Sequence, residues 1–565
     1  MRKKLYLPLL AMACVVMIMS SCSSKLTPLA ADYIKAEPQS LEMVAGKVPV
    51  TIYATFPEKW FNKKATVTVI PVLRYEGGEA WGNSYVYQGE KVSGNGQVIN
   101  QKTGGNVTMY SSFDYVPEML SSQLYLTFKA KIGNKEVVLP DVKIGDGVLA
   151  TAAWINAGSE KAVIAPDNFQ RIIKEQYNAD ILFLIQQAEI RSAEIKKGTV
   201  TDWNQLVKGA DEAENQNVDI EISAYASPDG GFELNQKLAE KREKNTQTYL
   251  SKEMKKSKIE VPVNARYTAQ DWEGFKELVE KSNIQDKDLI LRVLSMYTDS
   301  EQREREIKNI SSVFSVLADE ILPQLRRSRL TANIEIIGKS DEELLSLAAN
   351  NPSSLNLEEL LYSAYLAEGT VQKTAIYKKA TELFPKDARA FNNLGVLAYN
   401  NGDINTAITH FNKANQIAGS LPQANFNLGY SALVLGDKAK AEQYFGQASG
   451  VEELSNAMGL LAVMNGNYAQ AAQSFKSNTN NAALAQILNK DYNKATSILN
   501  SIEQPDATTS YLLAVVGART NNLSGVIDNL KKAVALNPDL ASKALQDVEF
   551  SKYITNTSFL NAILK

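Results

Sequence analysis

At 565 residues the chain is too long for one hydrophobic core and is expected to divide into roughly three or four domains. Its composition, 44% hydrophobic and 22% charged, is that of an ordinary globular protein and excludes wholesale disorder, a collagen-like fibre and a multi-span membrane protein. Removing the three basic residues of the first 21 takes the net charge from −3 to −6, and a mildly acidic chain is a poor binder of nucleic acid or other polyanions.

The N-terminus sets the compartment. Arg2, Lys3 and Lys4 precede LYLPLLAMACVVMIM, an apolar run too short for a mature membrane span, which reads as an export signal over residues 1–21. Ser20 and Ser21 stand directly before Cys22, and "MSSC" resembles the lipobox of bacterial lipoproteins, with Met19 where the family prefers Leu, Ile or Val. Cys14 leaves with the signal, so Cys22 is the one cysteine of the mature chain and has no disulfide partner within it. The resemblance implies lipidation at Cys22 and attachment to the outer membrane without a spanning helix. Residues 22–37 then form a tether. They lack the acidic run that in Bacteroidetes-type lipoproteins resembles a surface-export signal, which implies a periplasm-facing anchor.

Over 38–155 the pattern is β. VPVTIYATF and ATVTVIPVLRY alternate apolar and polar residues, LYLTFKAKI and KEVVLPDVKI follow, and EGG, SGNG, TGG and IGNK supply turns, as expected for an antiparallel β-sandwich. The region resembles the N-terminal β-domain of Bacteroidetes outer-membrane proteins that carry OmpA-like modules. From 160 to 338 strands and helices alternate: DILFLI and VDIEISAYAS are strands, VTDWNQLVKGADEA is a helix with Trp203, Leu206, Val207 and Ala210 on one face, and TANIEII closes the set. This predicts an α+β layer with helices on one side of a sheet. Residues 265–325 read as a helical insertion.

Beyond 352 the chain repeats. Leu394-Gly395 returns as Leu428-Gly429, Gly402-Asp403 as Gly436-Asp437, Ala407 as Ala441, Phe411 as Phe445 and Ala414 as Ala448, each displaced by 34 residues. Weaker copies follow at Gly459, Gly466, Ala471 and Phe475. Small residues where helices cross, with aromatics on the second helix at this period, mark an all-α tetratricopeptide solenoid over 352–565. Asn392, Asn393, Asn400, Asn425 and Asn427, on the first helices of two repeats, are candidates for contacts to a bound peptide backbone in its groove.

Catalytic chemistry has little to work with. His410 is the single histidine, so zinc sites and histidine-dependent triads are excluded, and neither a cofactor nor a metal is expected. Gly338-Lys339-Ser340 fails as a phosphate loop because Asn333 stands where that motif needs glycine. Pairs such as Glu358-Glu359 and Glu452-Glu453 read as solvated helix surface, and Arg326, Arg327 and Arg329 as a solvated or ligand-facing patch.

One charge is out of place. On a helix starting near Asn235, Arg242 falls about 40° from Leu238 and about 20° from Tyr249, inside the stripe that faces the sheet. Burial there demands an answering group, either an internal ion pair, with Asp229 as a candidate, or a bound carboxylate. At these residues a resemblance becomes specific: "DILFLIQQAEIRSAE", "IEISAYASPDG" and "NQKLAEKRE" resemble, in order and spacing, the OmpA-like peptidoglycan-binding domain. The family clamps diaminopimelate of the peptide stem between a loop Asp, which takes the ammonium, and a helix Arg, which forks onto the carboxylate. Arg242 matches that Arg, Asn235 the family's Asn and Gly230 its loop Gly; Ser227 stands at the Asp position, with Asp229 two residues on.

The resulting expectation is a non-catalytic envelope lipoprotein that touches peptidoglycan through Ser227, Asp229, Asn235 and Arg242 and holds a protein partner in the repeat groove. The rival expectation is a pure protein-protein assembly factor whose OmpA-like domain has lost its ligand.

Overall fold

Alternation builds the N-terminal region strand by strand. In Lys47–Phe56 the side chains of Val48, Val50, Ile52, Ala54 and Phe56 are buried and the intervening ones are not. This strand pairs antiparallel with Ile34–Glu37 on one side and Gly105–Asp114 on the other. A second sheet is organised around Ala65–Tyr75, which pairs antiparallel with Gln123–Ile132 and Tyr85–Gly89. The computed structural model describes residues 26–564 other than 285 and 310; the export-signal and lipidation readings, residues 1–21 and Cys22, lie outside the described residues.

The chain forms two compact units. One runs to Pro166 and resumes at Phe384, and the other is Asp167–Leu383. This division differs from one read along the sequence. The β-region and the repeats from Phe384 onward share one hydrophobic core, in which Leu41, Val148 and Ala150 join Leu484, Tyr511 and Phe550. Two individually exposed apolar faces are more stable buried on each other than left in water, at about 25 cal/mol per Å².

The seam between them is also polar. Trp154 packs on Tyr511 at 4.5 Å between ring centroids, and the Lys543 ammonium lies 3.5 Å from the Trp154 ring centre. Arg519 pairs with Glu549 at 2.6 Å, and the Thr151 hydroxyl donates to the same carboxylate. Asp547 accepts from the Tyr511 hydroxyl at 2.8 Å and from the Glu549 amide at 3.0 Å, while burial pushes its pKa above the ordinary value. A carboxyl raised on folding favours the folded state below its unfolded pKa and loses that advantage as pH rises through its folded pKa. Asp547→Asn is therefore expected to stabilise the chain at pH 7 and to lose this benefit below the usual carboxylate range. Thermal melts of both proteins across that pH span check it.

Helical hairpins follow Phe384: Arg389–Asn400 with Ile404–Ala418, Pro422–Val434 with Lys438–Phe445, Leu454–Met464 with Tyr468–Ser474, Asn480–Leu488 with Tyr492–Asn500, and Ala507–Arg519 with Leu523–Leu536. Their internal turns need a residue with positive φ, supplied by Gly402, Gly436 and Gly466 and then by Lys490 and Asn521. Asp403, Asp437, Asp491 and Asn522 follow as N-caps, each accepting from a backbone N–H three residues on. A Cβ on Gly395, Gly429 or Gly459 would lie 2.5, 2.6 or 2.8 Å from the ring of Phe411, Phe445 or Phe475. Gly429→Ala is thus expected to cost about 1–3 kcal/mol by overpacking, read from a lowered denaturant midpoint.

In the second unit the strand order is Ile172–Leu182, Arg327–Ile337, Gln216–Tyr225, Val263–Thr268. Gln216–Tyr225 and Val263–Thr268 are parallel, joined by the crossover helix Phe232–Ser257. Helix Gly198–Asp211 packs Trp203, Val207 and Ala210 into the same core as Ile220, Ile222, Leu250 and Leu330. The helices from Trp272 to Leu325 have a core of their own around Phe275, Ile290 and Leu317. Helices Leu357–Leu366 and Thr370–Leu383 also belong to this unit.

Candidate functional site

Two regions carry the residues singled out in the sequence. The first is the loop after Gln216–Tyr225 and the helix that follows. That helix begins at Phe232 and buries Asn235, Ala239, Arg242, Thr246 and Leu250. Arg242 is 1% exposed. Its Nε donates to the Gln187 carbonyl at 3.0 Å, Nη1 to Tyr225 at 2.8 Å and Nη2 to Leu184 at 3.3 Å, with the guanidinium 5.0 Å from the Phe183 ring centre. The answering groups are therefore backbone carbonyls of the chain itself and not Asp229. Burial first, then the nearby Arg326 charge, lowers its pKa to about 10 against the pull of Asp229, so it stays charged at neutral pH.

Asp229 is engaged elsewhere: Arg326 donates to it at 3.2 Å, and the Ser227 hydroxyl donates to its other oxygen. Asn235 holds the loop shut by donating to the carbonyls of Ser227 at 3.0 Å and Gly230 at 2.8 Å. The space beside Pro228 and Asp229, beneath Trp272, Phe275 and Phe314, is about 10 Å³. A single water needs at least that much, and an amino-acid side chain needs many times more. Ser227, Asp229, Asn235 and Arg242 are thus neighbours whose polar groups are answered by the chain itself. The clustered arginines are each paired: Arg327 with Asp271 at 3.0 Å, both nearly fully buried, and Arg329, a third exposed, forks onto Asp180 at 3.0 and 3.1 Å, and both arginines line a cavity of about 720 Å³ with Tyr225 and Glu277. Glu359, likewise, is 7% exposed and held by the Lys339 ammonium at 2.7 Å.

The second region is the concave face of the repeats in the other unit, and it is filled. Residues 155–166 cross it as a strap without regular secondary structure, with a turn at Asn156–Ser159. Asn427 accepts from the Val163 amide at 2.7 Å and donates to the Val163 carbonyl at 2.8 Å. Asn393 does the same to Ala165, at 2.8 and 3.0 Å. Asn481 does it to Asn156, at 2.9 Å both ways. Asn392 donates to the Val163 carbonyl at 3.0 Å and links Asn427 to Asn393 in a chain of amides. Tyr430 adds a bond to the Glu160 carbonyl at 2.8 Å.

The five candidate asparagines therefore separate. Asn392, Asn393 and Asn427, at most 1% exposed, hold a backbone, and that backbone is the chain's own. Asn425 faces elsewhere, donating to Ser420 at 2.9 Å and the Gln447 carbonyl at 3.3 Å, and Asn400 is exposed at the end of its helix. Asn481 escaped the sequence reading, although it precedes Ala483 by two residues just as Asn393 precedes Gly395 and Asn427 precedes Gly429. Ala457 occupies the corresponding position before Gly459, so one repeat lacks the clamp.

The strap is held without much to spare. Each hydrogen bond contributes about 1 kcal/mol net, and fixing each backbone residue costs about 1–2 kcal/mol. The bonds offset the ordering, and any surplus must come from apolar burial. Ala162 and Ala165 are buried but small, Ile155 and Val163 pack partly buried against the core of the repeats, and Ile164 is 43% exposed. Burial pushes the Glu160 carboxyl above its ordinary pKa, with Asn456 opposing and Glu453 adding, a further load on the middle of the strap.

Among the described residues no helix is long and apolar enough to cross a membrane, and no group of three or more His, Cys, Asp or Glu side chains is placed to hold a metal ion. A family model described as "Tetratricopeptide repeat" matches residues 376–409. No curated protein matches the chain. Similar solved structures include a tetratricopeptide repeat protein from Parabacteroides merdae, 15% identical over 40% of this chain and 91% of that one, with a TM-score of 0.28. The pilF protein of Pseudomonas aeruginosa is 17% identical over 38% of this chain and 99% of its own, with a TM-score of 0.30. Yeast Tom70 is 10% identical over 58% and 78%, with a TM-score of 0.26.

Proposed function

We propose that the mature protein is a non-catalytic scaffold for protein-protein assembly in the cell envelope, anchored to the outer membrane by lipid on Cys22 and facing the periplasm. The observation that carries the reading is the asparagine array: Asn393, Asn427 and Asn481 each read both polar groups of one residue, which is the recognition of an extended polypeptide and not of a small metabolite. The tetratricopeptide match adds to it, since such repeats are interaction modules.

In this reading the part of the Asp167–Leu383 unit up to residue 338 is an OmpA-like domain that no longer takes peptidoglycan. The support is the commitment of Arg242 to three carbonyls and of Asp229 to Arg326. The test pairs two measurements on the full-length lipidated protein. Capture from cross-linked envelopes is expected to recover a defined protein partner, while sedimentation with purified sacculi is expected to leave the protein in the supernatant. Wall binding that Asp229→Asn abolishes without unfolding the chain would overturn the reading in favour of a peptidoglycan clamp.

A further inference from the structure

We propose that the concave face of the repeats is an exchangeable peptide site: residues 155–166 occupy it as a built-in competitor, and an extended Ala-x-x-Ala-type segment of a protein partner takes their place. This rests on the scaffold reading above and supplies its mode of recognition. The occupant already in the groove defines the chemistry. Asn427 and Asn393 grip the amide and carbonyl of Val163 and Ala165, two residues apart, so the groove reads the same edge of any extended backbone. Side-chain demands fall on the buried Ala162 and Ala165 and on Ile155 and Val163, which pack partly buried against the core of the repeats, while the exposed Ile164 leaves its position open. A proline after the second alanine is accommodated, because Pro166 presents only its carbonyl, to Arg389.

Three features make the strap displaceable. It is held by side chains and not by a strand ladder. Its middle crosses the repeat where Ala457 replaces the clamping asparagine, so single bonds from Asn481 to the Ser159 hydroxyl and from Tyr430 to the Glu160 carbonyl stand there in place of a two-way clamp, and Gly158, Ser159 and Lys161 are exposed. Its fully buried apolar anchors are two methyl groups, with Ile155 and Val163 only partly buried, so a partner that keeps these contacts and adds apolar contact at the exposed positions outcompetes it. The strap's advantage is its tether, which acts as a high local concentration and must be exceeded by the incoming segment.

The test uses the full chain and a fluorescent peptide of residues 154–167. Three proteins are titrated: wild type, a variant with residues 156–165 replaced by a Gly-Ser segment of equal length, and that variant carrying Asn427→Ala. Binding at least tenfold tighter to the replaced chain than to wild type, and at least tenfold weaker again with Asn427→Ala, is expected. A replaced chain that keeps its helical circular dichroism but does not bind the peptide overturns the proposal, as does binding indifferent to Asn427→Ala. Should the replaced chain not fold, hydrogen exchange of the wild type decides: Val163 and Ala165 amides that exchange by local opening support exchangeability, and amides that exchange only with global unfolding overturn it. Recovery of an envelope partner alongside a negative peptide titration would leave the scaffold reading standing and refute only the exchangeable groove.

Discussion

Arg242→Ala is expected to lower the stability of the Asp167–Leu383 unit by about 3–5 kcal/mol, near the upper end for a single substitution. The guanidinium is the partner of three carbonyls, those of Leu184, Gln187 and Tyr225, and alanine leaves all three facing a cavity. Each buried polar group deprived of its partner costs about 1–3 kcal/mol, partly offset by relief of the burial cost that lowers the arginine pKa to about 10. Arg242→Lys separates shape from charge. An ammonium at that position keeps the charge but cannot fork onto three acceptors, so about half of the loss is expected to remain. A urea titration followed by tryptophan fluorescence, with Trp203 buried in this unit's core, reads both variants. Were Arg242 a ligand clamp, its removal would leave stability unchanged and abolish wall binding; a Lys variant as stable as wild type would refute the structural role.

The repeats were legible because their physics is local and periodic. A glycine that admits a phenylalanine ring, a positive-φ turn and a capping aspartate recur together, and the spacing of Gly395, Gly429, Phe411 and Phe445 in the chain is the spacing of their contacts. The anomaly at Arg242 was legible too, since a helical stripe can be counted. Its partners were not. They are main-chain carbonyls 17 to 58 residues away, and a carbonyl carries no residue identity for a sequence to display. The resemblance to a diaminopimelate clamp supplied the one partner that residue types could suggest, and in the structure Asp229 went to Arg326 instead.

The union of the β-region with the repeats was illegible for a related reason. Alternation in Lys47–Phe56 says that one face is buried, not what covers it, and apolar surface is not specific about its partner. The strap was the hardest element to see. Residues 155–166 have no period and no charge cluster, their one turn signal is Asn156-Ala157-Gly158-Ser159, and they fall where two patterns meet, so they read as a boundary. What betrays them is the opposite half of the contact, a set of asparagines on helix faces that should be small or apolar. Asparagine is a poor helix former, and its presence at 392, 393, 427 and 481 required a backbone to answer it.

Asn393→Ala with Asn427→Ala is accordingly expected to open the strap while leaving the helices in place. The pair removes four of the bonds that reach Val163 and Ala165 and breaks the amide chain through Asn392. At about 1 kcal/mol net for each bond, local opening becomes about 2–4 kcal/mol easier, which at 1.4 kcal/mol per decade raises the exchange of the Val163 and Ala165 amides by about 30- to 700-fold. Limited trypsinolysis gives an independent reading. Lys161 is exposed on the strap, but a protease needs an extended and detached segment, so cleavage there tracks opening and not side-chain access. Rapid cutting at Lys161 is expected in the double variant and slow cutting in wild type. Asn425→Ala serves as the control, because its bonds run to Ser420 and Gln447 and not to the strap, and it is expected to leave cleavage at Lys161 at the wild-type rate. Equal cleavage of all three proteins would mean that the asparagines decorate the groove without holding what lies in it.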